Sequence, residues 1–363
     1  MQIDINKINA DIVDRNDLFY WQADRKVSPE VAGTIWADRF ANIDFNELKT
    51  IANKYLTDKI VEINPASLNG TKNGINIVRA ATTESGREVI IRAHPRGIRN
   101  GYFFAESAAA NAAIAAGLPT YHTYATHELT GPDDNAMQVI EKMPGTPLNE
   151  WLAANPSDEK KIAINAGKMM ARLHKIQVSG YGPFDNDIAK SGQLKGLHKT
   201  FESAVNAALS SNLNFLSECG LLSEKQISAI LELYTNNPLL ISDRPILVHN
   251  DFADWNLLTM DGEISAIIDW DECIGGTPAS DIASYSSFFE ATRMESFLSG
   301  YFSVSDPIPD FDEKFQLLRL RYIIMKMTLR LRRYTFMQNE YFKYKIELGK
   351  KDLAVSLKYF GII

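Results

Sequence analysis

The N-terminal half of the chain changes from a helical to an alternating pattern of apolar and polar positions near residue 60. Residues 1–45 are rich in aromatic and charged side chains, and they predict one or two short helices, with a helix start at Ser28-Pro29. The stretch from Ile60 to His94 contains three runs of β-branched and polar residues in alternation, separated by Asn-Gly and Ser-Gly turns. This pattern predicts a small antiparallel sheet.

A helix and another strand are predicted before the pattern becomes mainly helical. The alanine-rich segment from Phe103 to Ala116 predicts a helix that ends at Gly117, and Met137 to Glu141 predicts a strand. A Pro/Gly-rich connector follows at 142–147, and the remaining chain shows mostly helical periodicity. We therefore predict an α+β fold of two lobes, with a small antiparallel sheet in the N-terminal lobe and a larger, mainly helical C-terminal lobe.

Composition and charge narrow the class of protein. The 363 residues are 45% apolar and 23% charged, which is typical of a globular protein with room for two packed units. A net charge of −7 argues against a dedicated nucleic-acid binder, and no apolar run approaches the length of a membrane span. Two cysteines that lie far apart, Cys219 and Cys273, favour a reducing compartment. We expect a cytoplasmic monomer or homodimer without nucleic-acid or membrane partners.

The stretch from Val248 to Glu272 contains the candidate catalytic and metal-binding residues. Its Asp261-Gly262 pair predicts a two-residue hairpin that places Met260 opposite Glu263, Leu258 opposite Ser265 and Asn256 opposite Ile267. Alternation then places Asp269 one diagonal step from Asn256, about 7–8 Å away, so that an amide oxygen and a carboxylate can share one Mg²⁺ ion. Asp251 lies in the preceding loop, where a free carboxylate can accept the proton of a hydroxyl during phosphoryl transfer.

The residues from His249 to Asn256, followed by Ile267-Ile268-Asp269-Trp270, resemble the catalytic signature of the aminoglycoside phosphotransferase family. These small-molecule kinases share the protein-kinase fold, and the Gly-Tyr-Gly-Pro-Phe stretch at 180–184 resembles hygromycin B kinases in particular. The resemblance implies that Asp251 is the catalytic base, that His249 braces the catalytic loop, and that Asn256 and Asp269 bind Mg²⁺. It also implies that Asp281 anchors that loop.

The same resemblance implies an ATP or GTP site in the N-terminal lobe. Asn69 and Gly70 stand in the position of a glycine-rich phosphate loop, and Arg92 takes the place of the usual phosphate-binding Lys. Glu106 is then the carboxylate partner of Arg92, and the backbone from Glu141 to Met143 faces adenine. The predicted boundaries are an N-terminal helical extension at 1–50, a nucleotide-binding lobe at 51–143 and a catalytic, substrate-binding lobe at 144–363.

Charge distribution and spacing constrain the acceptor. Only eleven residues separate Asp269 from Asp281, which leaves no platform for a peptide and favours a small hydroxylated molecule over a protein substrate. The segment 314–358 contains twelve basic and three acidic residues, a net charge of +9, which counts against a highly cationic acceptor. Three further acids are candidates for substrate contacts or for solvated carboxylates: Asp254, Asp271 and Glu272.

The leading interpretation is therefore an ATP- and Mg²⁺-dependent O-kinase of a sugar-like or aminocyclitol molecule. Hygromycin-type antibiotics are the specific acceptors considered, and their phosphorylation would imply a role in antibiotic resistance. Two alternatives stay open. One is a sugar or metabolite kinase without a resistance role. The other is a nucleotide-binding pseudokinase that serves as a scaffold, which the Arg at position 92 favours and the complete set of Asp251, Asn256 and Asp269 disfavours.

Overall fold

The computed structural model describes residues 29–41, 43–68, 76–97, 101–131, 133–242, 244–287, 291–335 and 338–362. The predicted phosphate-loop residues Asn69 and Gly70 lie outside the described residues. The predicted helix start near Pro29 is confirmed. No helix in the part of the chain that the structure describes is both long and apolar enough to cross a bilayer.

The N-terminal lobe is built on a five-stranded antiparallel sheet in the order β1-β2-β3-β5-β4. The three alternating runs of the sequence form β1, β2 and β3, and the strand predicted at Met137–Glu141 is β5, so these predictions are confirmed. The edge strand β4 was not predicted from the sequence. The elements of this lobe are α1 (Pro29–Asp38), α2 (Phe45–Tyr55), β1 (Ile60–Ser67), β2 (Ile77–Thr83), β3 (Glu88–Ala93), α3 (Phe103–Ala115), β4 (Thr123–His127) and β5 (Met137–Glu141).

Helices cover this sheet. Helix α2 begins after Asp44, whose side chain accepts hydrogen bonds from two backbone amides of the first turn, and its Leu48 and Ile51 are buried in a core shared with the strands. The helix therefore crosses the boundary predicted at residue 50. Helix α3 buries Glu106 and ends one residue before the predicted end, with Gly117 in the left-handed region (φ +72°).

The connector between the lobes contains a short strand, β6 (Thr146–Pro147), which pairs with β10 (Leu257–Met260) of the predicted hairpin. Gly145 has a φ of +124°, and a Cβ at this position would lie 2.7 Å from Ser265 Oγ and 2.9 Å from the carbonyl oxygen of Thr259. Ser265 Oγ also donates a hydrogen bond of 3.0 Å to the carbonyl oxygen of Pro144. The connector is thus held against the C-terminal lobe, where only glycine fits.

The C-terminal lobe is mainly helical, as predicted. Two cores fill it: one lies among α8, α9, α12, α13 and β9, and the other joins α5, α10 and α11 to α3 of the N-terminal lobe. Its further elements are α4 (Leu148–Ala154), α5 (Glu159–Leu173), β7 (Tyr181–Phe184), α6 (Asn186–Ala189), β8 (Gly196–His198), α7 (Phe201–Asn206), α8 (Leu209–Glu218), α9 (Glu224–Tyr234), β9 (Ile246–Val248), β11 (Glu263–Ile267), β12 (Ile274–Gly276), α10 (Pro278–Ser286), α11 (Ala291–Phe302), α12 (Phe311–Tyr334) and α13 (Glu340–Tyr359).

Most of helix α12 lies in the segment 314–358 of net charge +9, and two of its basic side chains are buried. Arg321 is fully buried and Lys326 is 9% exposed. Arg321 donates hydrogen bonds to the carbonyl oxygens of Val205 and Ala207. Because these carbonyls lie at the end of α7, the guanidinium satisfies helix-terminal groups that burial would otherwise leave unpaired.

Two glycines allow helices α5 and α11 to pack closely. A Cβ on Gly167 would lie 2.0 Å from the carbonyl oxygen of Phe297, and a Cβ on Gly300 would lie 2.0 Å from that of Ile164. Each glycine therefore faces the backbone of the other helix. This contact supports His174, which follows α5, and Tyr301 of α11, both of which reach the candidate site.

Candidate active site

A buried carboxylate fixes the loop that follows strand β9. Asp281, in helix α10, is fully buried, and its two oxygens accept hydrogen bonds of 3.0 Å from the backbone amides of His249 and Asn250. His174 Nε2 lies 3.1 Å from Asp281 Oδ2, and its Nδ1 lies 2.8 Å from Tyr301 Oη. The structure thus places Asp281 where the sequence predicted a loop anchor. His174 is thus a buried residue that joins Asp281 to Tyr301.

The loop itself has an unusual backbone. Asn250 has a φ of +65°, in the left-handed region that Asn tolerates better than most residues, and its carbonyl oxygen accepts a 2.7 Å hydrogen bond from Ser284 Oγ. His249 is fully buried, and its Nε2 lies 3.1 Å from the carbonyl oxygen of Ile268. His249 therefore ties the loop to the end of strand β11, which matches the bracing role implied by the sequence resemblance.

Asp251 follows Asn250 in this loop, and one of its carboxylate oxygens accepts hydrogen bonds. Its Oδ2 accepts hydrogen bonds of 2.7 Å from Asn256 Nδ2 and 3.3 Å from Trp255 Nε1. The Asn256 amide nitrogen also donates to the backbone carbonyl oxygen of Asp251 at 2.8 Å. Asp251 is half-buried. The carboxylate is thereby held in one orientation, and Trp255, which is 43% exposed, lies beside it.

The hairpin that follows reverses at the predicted residues but has a different register. Asp261 and Gly262 both have positive φ, and Met260 pairs with Glu263 as predicted. A β-bulge then shifts the ladder, so Leu258 pairs with Ala266. The predicted pairing of Leu258 with Ser265 is wrong for this reason.

The bulge also changes the partner of Asn256. The predicted pairing of Asn256 with Ile267 is wrong, because the backbone amide of Ile268 donates to the carbonyl oxygen of Asn256 at 2.9 Å. Simple alternation would then direct Asp269 away from Asn256. Asp269, however, has a φ of +65° and a ψ of +70°, and this left-handed residue ends the alternation immediately after the strand. Its side chain is 40% exposed and contacts the N-terminal lobe.

That contact is made by Arg92, which joins the two lobes. Arg92 Nη2 lies 2.6 Å from Asp269 Oδ1, and Nη1 forms an ion pair with Glu106 Oε2 in helix α3. Arg92 and Glu106 are 6% and 2% exposed. Burial alone lowers the pKa of the guanidinium, but the negative charges of Glu106 and Asp269 outweigh it and hold the pKa well above its ordinary value.

Burial has the opposite effect on the carboxyl of this pair. It raises the pKa of Glu106 even though Arg92 acts against the shift. Arg92 thus pairs with Glu106, as the sequence predicted.

The predicted adenine-contact residues lie at the end of strand β5. Glu141 pairs with Val89 of β3, and its Oε2 accepts a 3.2 Å hydrogen bond from the backbone amide of His122. Met143 is half-buried and packs against the core that spans both lobes. Glu141 and Met143 therefore lie where the sheet of the N-terminal lobe continues into the connector. Arg92 and Asp269 meet at the same boundary between the lobes.

The three acids considered as substrate contacts have different surroundings. Asp254 is buried and forms an ion pair with Arg293 in helix α11, so its carboxylate is directed into the protein. Glu272 is also buried, with both oxygens 3.1–3.2 Å from Lys326 Nζ. Asp271 is half-buried, and burial together with the charge of Asp269 raises its pKa well above the ordinary value. Of the three, Asp271 is the one without an ion-pair partner among the described residues.

Several residues near the site were not predicted from the sequence. The ion-pair partners Arg293 and Lys326 lie 39 and 54 positions from the acids that they neutralise. Tyr121 Oη is buried with no hydrogen-bond partner among the described residues, and burial raises the pKa of this hydroxyl well above its ordinary value. Of these residues, only Trp255 could have been identified from the sequence, because it lies between Asp251 and Asn256. The others are brought in by tertiary packing.

The donor atoms are compatible with a divalent cation. Both amide hydrogens of Asn256 are directed to Asp251, which leaves the side-chain oxygen on the other side of the planar amide. Asp269, which has a half-exposed carboxylate, follows Ile268, whose backbone amide donates to the carbonyl oxygen of Asn256. Among the described residues, no three His, Cys, Asp or Glu side chains are grouped to hold a metal ion. An Asn–Asp pair therefore fits Mg²⁺, which takes its other ligands from water and phosphates, better than it fits a fully protein-bound metal.

Comparison with known proteins gives a consistent family and fold. The phosphotransferase enzyme family (APH) matches residues 75–313 of the chain, and no curated protein matches. A thermostable mutant of aminoglycoside phosphotransferase APH(4)-Ia, solved with AMP-PNP and hygromycin B, is similar at 17% identity and a TM-score of 0.60, over 85% of this chain and 97% of that one.

A second solved structure is similar over a comparable share of the chain. A protein from Thermobifida fusca YX-ER1 described as a fructosamine-3-kinase has 13% identity and a TM-score of 0.59, over 86% of this chain and 99% of that one. At these identities the two structures show the fold alone, and they confirm the predicted two-lobed, kinase-like α+β class. The family match extends over about two thirds of the sequence and includes Arg92, Asp251, Asn256, Asp269 and Asp281. The chain belongs to the phosphotransferase enzyme family.

Proposed function

We propose that the chain is an ATP- and Mg²⁺-dependent O-phosphotransferase that transfers the γ-phosphoryl group to a hydroxyl of a small, sugar-like or aminocyclitol molecule. The observation that carries this proposal is the arrangement around Asp251. One of its oxygens is held by Asn256 and Trp255, while its Oδ1 receives no hydrogen bond from the described residues. A fixed carboxylate with one available oxygen is suited to orient a hydroxyl and accept its proton.

In the proposed transfer step, one bond forms, one bond breaks and one proton moves. As the acceptor oxygen forms a bond to the γ-phosphorus, its proton moves to Asp251 and the bond between the γ-phosphorus and the β,γ-bridging oxygen breaks, releasing ADP. Asn256 and Asp269 would hold Mg²⁺, which neutralises charge on the phosphates when it is bound. Asp281 and His249 keep the loop in place, and their role is to position Asp251.

The nucleotide would lie along the boundary between the lobes. Arg92, oriented by Glu106, is the cation available to the phosphates, and the backbone from Glu141 to Met143 is proposed to contact adenine. Asn69 and Gly70 remain the proposed phosphate loop. An Arg keeps its charge at any physiological pH and can bind two oxygens at once, so it suits this role as well as a Lys does.

The burial of Asp254 and Glu272 in ion pairs bears on the acceptor. Each acid is matched by a cation, Arg293 or Lys326, so neither offers a free negative charge to a polycationic antibiotic. This observation favours a neutral or partly anionic alcohol, or a less charged aminocyclitol, over a highly cationic aminoglycoside. A metabolite kinase without a resistance role is therefore the second candidate within the same chemistry.

The proposal is tested by measuring ATP consumption with wild type and Asp251→Ala across a panel of aminocyclitols, aminosugars and sugars. We expect acceptor-dependent turnover in the wild type and its loss in the variant, with Mg²⁺ required. Equal background rates for both proteins on every acceptor would instead support the pseudokinase scaffold. Labelling of peptides rather than small molecules would identify a protein kinase and contradict the proposal.

A further inference from the structure

A row of side chains on helix α12 extends from the catalytic loop toward helix α13. Tyr322, Lys326 and Arg330 are spaced four residues apart, so they lie on the same face of α12, about one turn from each other. Lys326 forms an ion pair with Glu272, which follows Asp269 by three residues. Helix α12 also packs against α10, which anchors the catalytic loop through Asp281, and the charge of Asp251 acts on both Tyr322 and Lys326.

The first cation of this row is neutralised. Lys326 is 9% exposed, and both oxygens of Glu272 lie within hydrogen-bond distance of its Nζ. Burial by itself lowers the pKa of the Lys326 ammonium, but the charge of Glu272 reverses this and the pKa is raised. The pair therefore contributes little net charge to the space next to Asp251.

The second cation is not neutralised. Arg330 is half-buried, and Nη1 donates a 3.3 Å hydrogen bond to the carbonyl oxygen of Lys345 in α13. Lys345 is also half-buried, with Nζ 5.6 Å from the centre of the Tyr341 ring. Neither Arg330 nor Lys345 forms an ion pair with any acid in the described ranges. The nearest acid that acts on Arg330, Asp352, lies 3.1 Å from Arg319 instead.

The hydrogen bond from Arg330 to the carbonyl oxygen of Lys345 brings the guanidinium to the backbone of the second cation, and two half-buried cations without a carboxylate partner are costly unless an anion joins them. In agreement with this, burial, reinforced by the charge of Arg330, lowers the pKa of the Lys345 ammonium, and burial lowers the pKa of Arg330. We propose that Arg330 and Lys345 form a subsite for an acidic group of the acceptor, a carboxylate or a phosphate carried by the sugar-like alcohol that Asp251 activates. This assignment of the acceptor class rests on the proposed function.

The existence of the subsite can be tested without a known acceptor by labelling lysines with pyridoxal 5′-phosphate, followed by borohydride reduction and peptide mass spectrometry. The aldehyde of the reagent reacts with a neutral amine, and its phosphate group binds best where a second cation is close to that amine. We expect Lys345 to be labelled about tenfold faster than Lys343, an exposed lysine of the same helix, because charge-assisted contacts to Arg330 hold the phosphate. Pyridoxal, which lacks the phosphate, should show a much smaller preference.

Substitutions at Arg330 and Lys343 test whether Arg330 causes the faster labelling of Lys345. Arg330→Met should abolish the preference for Lys345 and Arg330→Lys should retain part of it. Lys343→Met should leave the labelling rate of Lys345 itself unchanged. Inorganic phosphate and gluconate should each protect Lys345, and the more effective of the two indicates the acidic group that the subsite takes. Equal labelling of Lys345 and Lys343, or equal preference with pyridoxal, would overturn the subsite whatever the outcome of the turnover assay.

The link to the acceptor is tested by comparing ATP consumption with glucosamine, glucose, gluconate and glucose 6-phosphate. We expect the acidic sugars to have the lowest KM values, and we expect Arg330→Met and Lys345→Met to raise those values without changing the KM for ATP. A preference for glucosamine that survives in both variants would refute the link while leaving the kinase assignment intact. Loss of the kinase assignment would show differently, as turnover that is unaffected by Asp251→Ala.

Discussion

Arg92 of the N-terminal lobe and Asp269 of the C-terminal lobe meet across the boundary between the lobes, with Arg92 Nη2 2.6 Å from Asp269 Oδ1. The same guanidinium is paired with Glu106, which is 2% exposed, whereas the side chain of Asp269 is 40% exposed. For the proposed binding of nucleotide phosphates to Arg92, the exposed contact with Asp269 is the less costly one to release. The Arg92–Glu106 pair is thus a fixed part of the lobe, and the contact with Asp269 is exchangeable.

The buried pair leads to a prediction about stability. Arg92→Met leaves the Glu106 carboxylate without its partner and should lower the free energy of unfolding by about 3–5 kcal/mol. Adding Glu106→Gln to this variant should recover part of the loss, because the uncompensated charge is then absent. Urea denaturation of wild type, both single variants and the double variant checks this. Losses that simply add would show that the two side chains do not interact.

Asp251 is predicted to act in the chemical step and not in nucleotide binding. Asp251→Asn keeps the shape and the contact with Trp255 but removes the proton acceptor, so kcat should fall by about 10²–10⁴-fold. The affinity for ATP should change less than threefold, measured by calorimetry in the presence of Mg²⁺. Asp269→Ala is the matched comparison, since it should mainly weaken Mg²⁺-dependent nucleotide binding. Loss of nucleotide binding in Asp251→Asn would reverse the assigned roles.

The close crossing of α5 and α11 gives a prediction that is independent of chemistry. Gly167→Ala places a methyl group against the carbonyl oxygen of Phe297 and should destabilise the protein by about 1–3 kcal/mol, measured by denaturant unfolding. Gly131→Ala is the control, because no atom lies within 4 Å of a Cβ at that position. Similar midpoints for both variants would mean that the helices separate at little cost.

The buried thiols give a prediction about pH. Burial raises the pKa of Cys219 to about 11, from an ordinary value of 9.0, so the native protein holds about 100-fold less thiolate at pH 8 than an unfolded chain. In Cys273→Ser, where Cys219 is the remaining thiol, the rate of alkylation by iodoacetamide should rise about tenfold per pH unit from 7 to 10. The urea-unfolded variant is the control and should level off above pH 9. A plateau near pH 9 in the native protein would contradict the burial.

Much of the fold follows from local patterns in the sequence. Strands β2, β3 and β5, helix α3 and the turn at Asp261-Gly262 were predictable because each depends on alternation, helix-forming residues or a residue that accepts positive φ. Asp251 and Asp281 were identified as candidate site residues for a different reason, namely their place in a recognisable motif. Strand β4 was missed, since a short edge strand with polar residues carries little periodic signal.

The parts that could not be predicted depend on tertiary contacts. The bulge after Leu258 cannot be deduced from a two-residue turn, and neither can the left-handed backbone of Asp269. The burial of Arg321 and Lys326 depends on carbonyls and a carboxylate that are distant in sequence. Such residues look like solvent-facing charges on a helix until the partners are known.

The pairing of β6 with β10 limits where the chain can bend between the lobes. Glu141 is fixed in the ladder of β5, and from Pro144 onward the connector is bonded to the hairpin. Between these two bonded segments lie Lys142 and Met143, so a pivot within the connector would be centred on them. Any nucleotide that contacts this backbone would rest on the pivot itself, so its arrival and the angle between the lobes would be mechanically linked.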